Sequence, residues 1–269
     1  MKNAFTVDLE DWFCAIGDIF NKPWEECESR IERSTFLLLK ILSKHKVKAT
    51  FFVLGWIAER FPELIKEIDR ASHEIASHGY GHGYVSKMTP EEFEEDLKKS
   101  LKAISRSTVQ QIIGFRAPGF NVSKDTSWLF EILARNGIKY DSSIFPLRLL
   151  PNYNSNIASL RPHKVNSSIW EFPLSCVDLY GMRLPCSGGV FFRVFPYIYT
   201  KLSIKRINKR SNPVIFYIHP WDLDPKHPRV NLPKLRQLRH YCNLDKIERR
   251  LEYLLNDFEF ATVKEVLNL

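Results

Sequence analysis

The sequence predicts an α/β fold, a parallel sheet or barrel with helices outside it, and three observations carry that prediction. Strand-like and helix-like segments alternate at least four times before residue 145, as successive βα units do. The 269-residue chain is 44% hydrophobic and 26% charged, an ordinary soluble balance with enough apolar side chain for a large core. The groups able to do chemistry recur where predicted strands end, which is where parallel α/β folds bind ligands.

Residues 3–9, NAFTVDL, read as a buried strand. Residues 29–46 carry Ile31, Leu37, Leu38 and Ile41 at helical spacing. VKATFFVLG, 47–55, is β-branched and aromatic and reads as the second strand. A helix is predicted over 56–71, with Pro62 starting a second segment. Residues 73–78 read as a short strand. Thr89, Pro90 at the first helical position and Glu92 form a capping box for a helix over 89–107. A strand at 111–118 precedes a helix over 123–137 that ends at Asn136-Gly137, and 138–144 starts another strand. Residues 146–200 are less regular and richer in proline, and are predicted as strands and long loops inserted in the same domain. NPVIFYIHPWD, 212–222, is a strong buried strand, followed by a helix at about 244–256 and a strand at 258–263. No repeat, low-complexity tract or linker divides the chain, so residues 1–269 are predicted as a single domain.

The net charge of +8 suits an anionic partner. KLSIKRINKR, 201–210, is the one local cluster, and its plain reading is a solvated helix face; contact with a membrane surface or an acidic glycan is the other. No nucleic-acid motif is present, and no nucleic-acid partner is expected. The five cysteines are odd in number, widely spaced and free of any C-x-x-C, which points to reduced thiols. The first residues turn acidic within ten positions, and no stretch approaches the ~18 apolar residues of a span. A cytoplasmic protein, at most peripheral to the inner face of the membrane, is the expectation.

At the predicted strand ends, TVDLED supplies Asp8, Glu10 and Asp11, and EIASHGYGH supplies His78 and His82. FRAPGF supplies Arg116, and YIHPWD supplies His219 and Asp222. Two imidazoles and a carboxylate bind a divalent metal and leave positions open for water. A second carboxylate can take that water's proton, and a separate histidine can give one to a leaving group. Strand alternation puts Asp8 and Glu10 on one face and favours Glu10 as the ligand; Asp11 takes that place if the strand has already ended. Each group also has a plainer reading. The acids suit a helix cap, His219 a core histidine, and Trp12, Phe120 and Trp221 core aromatics instead of sugar platforms.

Together these stretches resemble the polysaccharide deacetylases, the nodulation-type (NodB) homology domain of carbohydrate esterase family four. TVDLED resembles the family's paired-acid motif, HEIASHGYGH its histidine motif, RAPGF its arginine-proline motif and FYIHP its last, histidine-bearing strand. YDSSIFP, WEFP and CSGGVFFRVFP are similar to a subgroup tied to exopolysaccharide and O-antigen clusters. The resemblance implies an irregular (β/α)7-type barrel and hydrolysis of the N-acetyl group of an amino sugar, in a polysaccharide or its lipid- or nucleotide-linked precursor. It implies Asp8 as general base, Arg116 orienting it and His219 as general acid. It also implies His78, His82 and one of Glu10 and Asp11 around one zinc ion, with an oxyanion donor in a backbone N–H beside Arg116. Trp12, Phe120 and Trp221 are the expected substrate-binding aromatics. Leu9 departs from the family's pattern by separating two acids that are usually adjacent. Two other readings stand beside this one. One is a hydrolase of a non-glycan C–N bond, like the allantoinase branch; the other is a glycan-binding relic without activity.

Overall fold

The computed structural model describes residues 1–19, 22–147 and 159–269. Of the predicted 146–200 insertion, residues 148–158 lie outside the described residues. The elements begin β1 (Asn3–Leu9), α1 (Ile31–Lys44), β2 (Thr50–Val53), α2 (Gly55–Arg60), α3 (Pro62–Arg70) and β3 (Glu74–Ser77). They continue α4 (Pro90–Ile104), β4 (Gly114–Phe115), α5 (Leu129–Arg135), β5 (Tyr140–Asp141), β6 (His163–Lys164) and β7 (Trp170–Glu171). Next come β8 (Cys176–Leu179), β9 (Met182–Pro185), α6 (Gly189–Val194), α7 (Tyr197–Asn208) and β10 (Ile215–Ile218). The chain closes with α8 (Lys234–Tyr241), α9 (Ile247–Asp257), β11 (Phe260–Ala261) and α10 (Val263–Leu267).

The main sheet runs β10-β1-β2-β3-β4-β5-β7-β6, with β11 beside the start of β1. All its pairings are parallel except β6–β7, while β8 and β9 form a separate antiparallel hairpin. The sheet curls into an irregular barrel. From its β10 edge, the Tyr217 N–H donates to the Ser187 carbonyl at 2.8 Å, and Cys186 N–H reaches the Ser175 carbonyl. β1 is buried on both faces. Phe5, Val7 and Leu9 pack towards the helices, and Ala4 joins Phe52, Ala76, Tyr140 and Ile215 in a second cluster on the opposite face, inside the barrel.

Register sets the height of the site. Leu9 pairs with Val53, Val53 with Ser77, and Ser77 with Phe115. Glu10, His78 and Arg116 are therefore the first residues past one level rim. Val7 pairs with Ile218, which puts His219 at the level of Asp8.

Gly188 closes the barrel at a close approach. Its φ is +120°, and a Cβ there would stand 1.8 Å from the Tyr217 carbonyl oxygen. Strain of this kind costs about 1–3 kcal/mol before any backbone shift. Gly188→Ala is expected to destabilise by more than about 2 kcal/mol in urea unfolding; a midpoint unchanged from the parent would refute this close contact.

Three local differences from the sequence reading have physical causes. The helix predicted from 123 starts at Leu129, because Ser123 and Thr126 bond each other: Ser123 N–H donates to Thr126 Oγ1 at 2.8 Å, and that hydroxyl donates to the Ser123 carbonyl. The strand predicted over 258–263 ends at Ala261, because Thr262 Oγ1 accepts from Glu265 N–H and caps α10. The 189–200 stretch, expected as strand and loop, is helical: apolar runs such as VFFRVF cannot be told from strands by periodicity alone. The capping box of α4 forms as expected, with Glu92 N–H donating to Thr89 Oγ1 and Thr89 N–H to Glu92.

Candidate active site

Glu10 Oε1 lies 2.9 Å from His78 Nε2 and 3.0 Å from His82 Nε2. The three donor atoms all lie within 4.8 Å of one another. His78 Nδ1 donates to the Arg116 carbonyl oxygen at 2.7 Å, which fixes the tautomer and turns Nε2 towards Glu10. His82 sits in left-handed backbone at φ +58°, after Gly79 at φ +73°. Asp96 on α4 braces this turn: its Oδ2 accepts from Tyr80 N–H at 2.9 Å and would stand 2.9 Å from a Cβ at Gly79.

Burial pushes the Glu10 carboxyl up. The His82 charge and hydrogen bonds from both histidines outweigh it and hold the group well below its ordinary value. Burial lowers His82, and the Glu10 carboxylate more than offsets that, so His82 is raised. A buried His₂Glu set that gathers compensating positive charge around one carboxylate oxygen fits a divalent cation, with positions left for water.

Of the two acids, the structure brings only Glu10 to the histidines. The Glu10 N–H donates to the Asp8 carbonyl at 2.9 Å, a tight turn immediately past the strand. Asp11 faces the other way. Its Oδ2 accepts from Ser29 Oγ at 2.6 Å, Arg30 N–H at 2.8 Å and Ile31 N–H at 3.1 Å, so it caps the start of α1. Asp11 as a ligand is thereby corrected to a helix cap.

Asp8 and Arg116 form a buried pair, with Nη1 2.6 Å from Oδ1. Arg116 is fully buried, and each of its three guanidinium nitrogens has a hydrogen-bond partner. Nη1 also reaches Thr6 Oγ1, Nε the Ser142 carbonyl and Nη2 Ser142 Oγ, while the guanidinium lies 4.0 Å from the Phe52 ring centre. One residue thus serves both halves of the site, by its carbonyl to His78 and its side chain to Asp8. Of the backbone N–H groups beside Arg116, that of Ala117 is given to Ser143 Oγ at 2.7 Å.

His219 follows β10 and is felt electrostatically by Glu10 and His82. Its Nδ1 and its backbone N–H both donate to Asp222 Oδ2, at 3.0 and 2.9 Å. Arg193, buried, pairs with Asp222 Oδ1 at 3.0 Å. Burial pulls His219 down, but the hydrogen bond and charge of Asp222 win and raise it above its ordinary value. Burial raises Asp222, and the Arg193 charge with the His219 bonds brings it below. The orienting roles of Asp222, Arg193 and Asp96 were not assigned from sequence. The only signal was Asp222 three residues after His219.

The three expected sugar platforms are core residues. Trp12 is buried, donates Nε1 to the Glu28 carbonyl and stacks on His227. Trp221 is buried between His219 and His240, stacked on both. Phe120 is buried edge-on against Tyr217 and Phe145. The half-buried aromatic beside the histidines is Tyr84, 6.1 Å from the His82 ring.

Residues 23–140 match the polysaccharide deacetylase family model. That stretch, a little under half of the chain, is similar to the polysaccharide deacetylases. Residues 142–268 match a second model, a domain of unknown function (DUF3473). The deacetylase relatives include the peptidoglycan deacetylase of Helicobacter pylori, 36% identical over 157 residues, 56% of this chain and 52% of that one. The chitooligosaccharide deacetylase of a Bradyrhizobium strain is 33% identical over 75 residues, 28% of this chain and 34% of that one. The chain spans about half the length, or less, of the first curated relatives it matches. The same fold occurs in a putative polysaccharide deacetylase from Mycobacterium smegmatis, with TM-score 0.64 at 19% identity over 98% of this chain and 87% of that one. It occurs also in a family 4 carbohydrate esterase from Streptomyces lividans, with TM-score 0.51 at 13% identity over 97% and 91%.

Proposed function

We propose that this protein hydrolyses the N-acetyl group of an amino sugar in a glycan or its lipid- or nucleotide-linked precursor, releasing acetate. One observation carries the reading: a proton acceptor, a proton donor and a cation cradle share one rim. Glu10, His78 and His82 would hold a divalent metal, zinc by the chemistry of the set, which supplies Lewis-acid polarisation and a water of lowered pKa. Asp8 accepts the attacking water's proton, and Arg116 keeps that carboxylate charged and aimed. Water oxygen bonds to the acetyl carbon, the C–N bond breaks, and His219 gives its proton to the departing amine. Asp222, anchored by Arg193, holds the imidazole with its Nε2 free for that transfer. The peptidoglycan and chitooligosaccharide deacetylases among the relatives support an N-acetylated glycan as substrate class.

Acetate release from N-acetylglucosamine oligomers is the direct test, run against nucleotide sugars and lipid-linked oligosaccharides. Activity should vanish with a chelator and return with a divalent ion. Elemental analysis should find one divalent metal per chain, lost in the double variant His78→Ala, His82→Ala. Unchanged metal content in that variant would remove the cradle from the reading.

A further inference from the structure

Helix α7 is apolar on two sides. Its inner side, with Ile204 and Ile207, is buried in the core. Its outer side carries Ile198 and Leu202, one turn apart and 57% and 59% exposed, and Val194, 48% exposed, ends α6 just before the extended residues Phe195 and Pro196. Large aliphatic side chains stacked one turn apart on an outer face are not what a solvated helix carries. The same face then turns basic, with Lys205, Arg206, Lys209 and Arg210 all exposed. At this end a cavity of about 220 Å³ lies between α7 and β8, with Arg161, Arg206, Arg210 and Asn212 in its wall together with one acid, Asp178. None of those three guanidiniums has an ion-pair partner among the described residues. Asn212 is buried, and its Oδ1 accepts no hydrogen bond.

We propose that the outer face of α7, with the arginine cavity at its end, docks the protein on an anionic phospholipid bilayer. The aliphatic stripe enters the interface, as the apolar side of a surface-lying helix does. Guanidiniums match phosphate oxygens in a planar, bidentate way, so the cavity takes a headgroup phosphate. Charge complementarity selects this occupant over a second copy of the chain, because two such faces would bring eight cations together. Among the described residues no helix is long and apolar enough to cross a membrane. The docking is independent of the deacetylase reading, since no α7 residue belongs to the catalytic rim.

Sedimentation of the 269-residue protein with vesicles tests this. Vesicles of phosphatidylcholine with phosphatidylglycerol should carry the protein down, and phosphatidylcholine alone should not. Binding should weaken as salt rises. Each basic side chain near such a surface is worth about fivefold in partitioning. The quadruple variant Lys205→Gln, Arg206→Gln, Lys209→Gln, Arg210→Gln should therefore lose at least about a hundredfold. Ile198→Ser with Leu202→Ser should lose binding as well, with circular dichroism unchanged in both. Acetate release from a soluble oligomer should stay at the parent level in these variants. Three results would overturn the proposal: equal sedimentation with both vesicle types; inorganic phosphate bound in solution while vesicles are ignored; or a dimer by light scattering that Leu202→Ser dissolves while vesicles are ignored.

Discussion

Asp8→Asn should lower kcat by about 10²–10⁴-fold or more while one metal per chain stays bound. The amide keeps the shape of the carboxylate and can still accept from Arg116, but it cannot take a proton from water at neutral pH. The cradle of Glu10, His78 and His82 does not use Asp8, so metal content separates a lost base from a lost site. The change also has a structural cost. Arg116 is fully buried and, among the described residues, Asp8 is its only charged partner in hydrogen-bond contact. Breaking such a pair by removing one charge typically costs on the order of 3–5 kcal/mol. Arg116 keeps Thr6 and both Ser142 oxygens, which softens the loss. Turnover is therefore to be compared below the variant's own unfolding transition. An Asp8→Asn protein that is folded, metal-loaded and active within tenfold of the parent would rule Asp8 out as the base.

The groups that meet at the rim were legible because parallel strands aim their carboxyl ends one way. Asp8, His78, Arg116 and His219 each stand at or just past such an end, so their convergence needed only the strand order, and the register then levels them. The choice between Glu10 and Asp11 was not legible, because it turns on where β1 stops. The strand ends at Leu9, and one tight turn sends Glu10 to the histidines and Asp11 to the start of α1. Arg193 and Asp96 were hidden for another reason. Arg193 lies 29 positions ahead of Asp222 in a run that reads as strand, and only the fold of α6 turns it onto that carboxylate. Tryptophan next to a catalytic motif suggests a sugar platform, but Trp12 and Trp221 are placed by their neighbours' needs. Trp221 fills the space behind His219, and Trp12 closes the loop before α1.

The partners of His219 make the acid step separable from the base step. His219→Ala should retain metal and lose about 10²–10⁴-fold on an N-acetyl sugar, whose amine leaves only when protonated. An activated acetate ester leaves unaided, so its hydrolysis should fall far less. Equal losses on the two substrates would make His219 a structural or binding residue. The pH profile supplies a second, independent check through Asp222. On the proposed acid role activity requires the protonated imidazole, and its value in the fold is raised, so the parent should hold activity above the ordinary histidine range and lose it as pH rises through the raised value. Asp222→Asn removes the hydrogen bond to a charged group and the negative charge, the two largest causes of that rise. Burial, which lowers the imidazole, is left unopposed by them. The alkaline limb should therefore move to lower pH. Arg193→Met removes the cation that offsets Asp222; the carboxylate stays ionised at the alkaline limb and holds the imidazolium unopposed, so the limb should not move to lower pH as it does in Asp222→Asn. A limb that stays put in Asp222→Asn, with kcat reduced at every pH alike, would mean that Asp222 shapes the site without setting the charge of its acid.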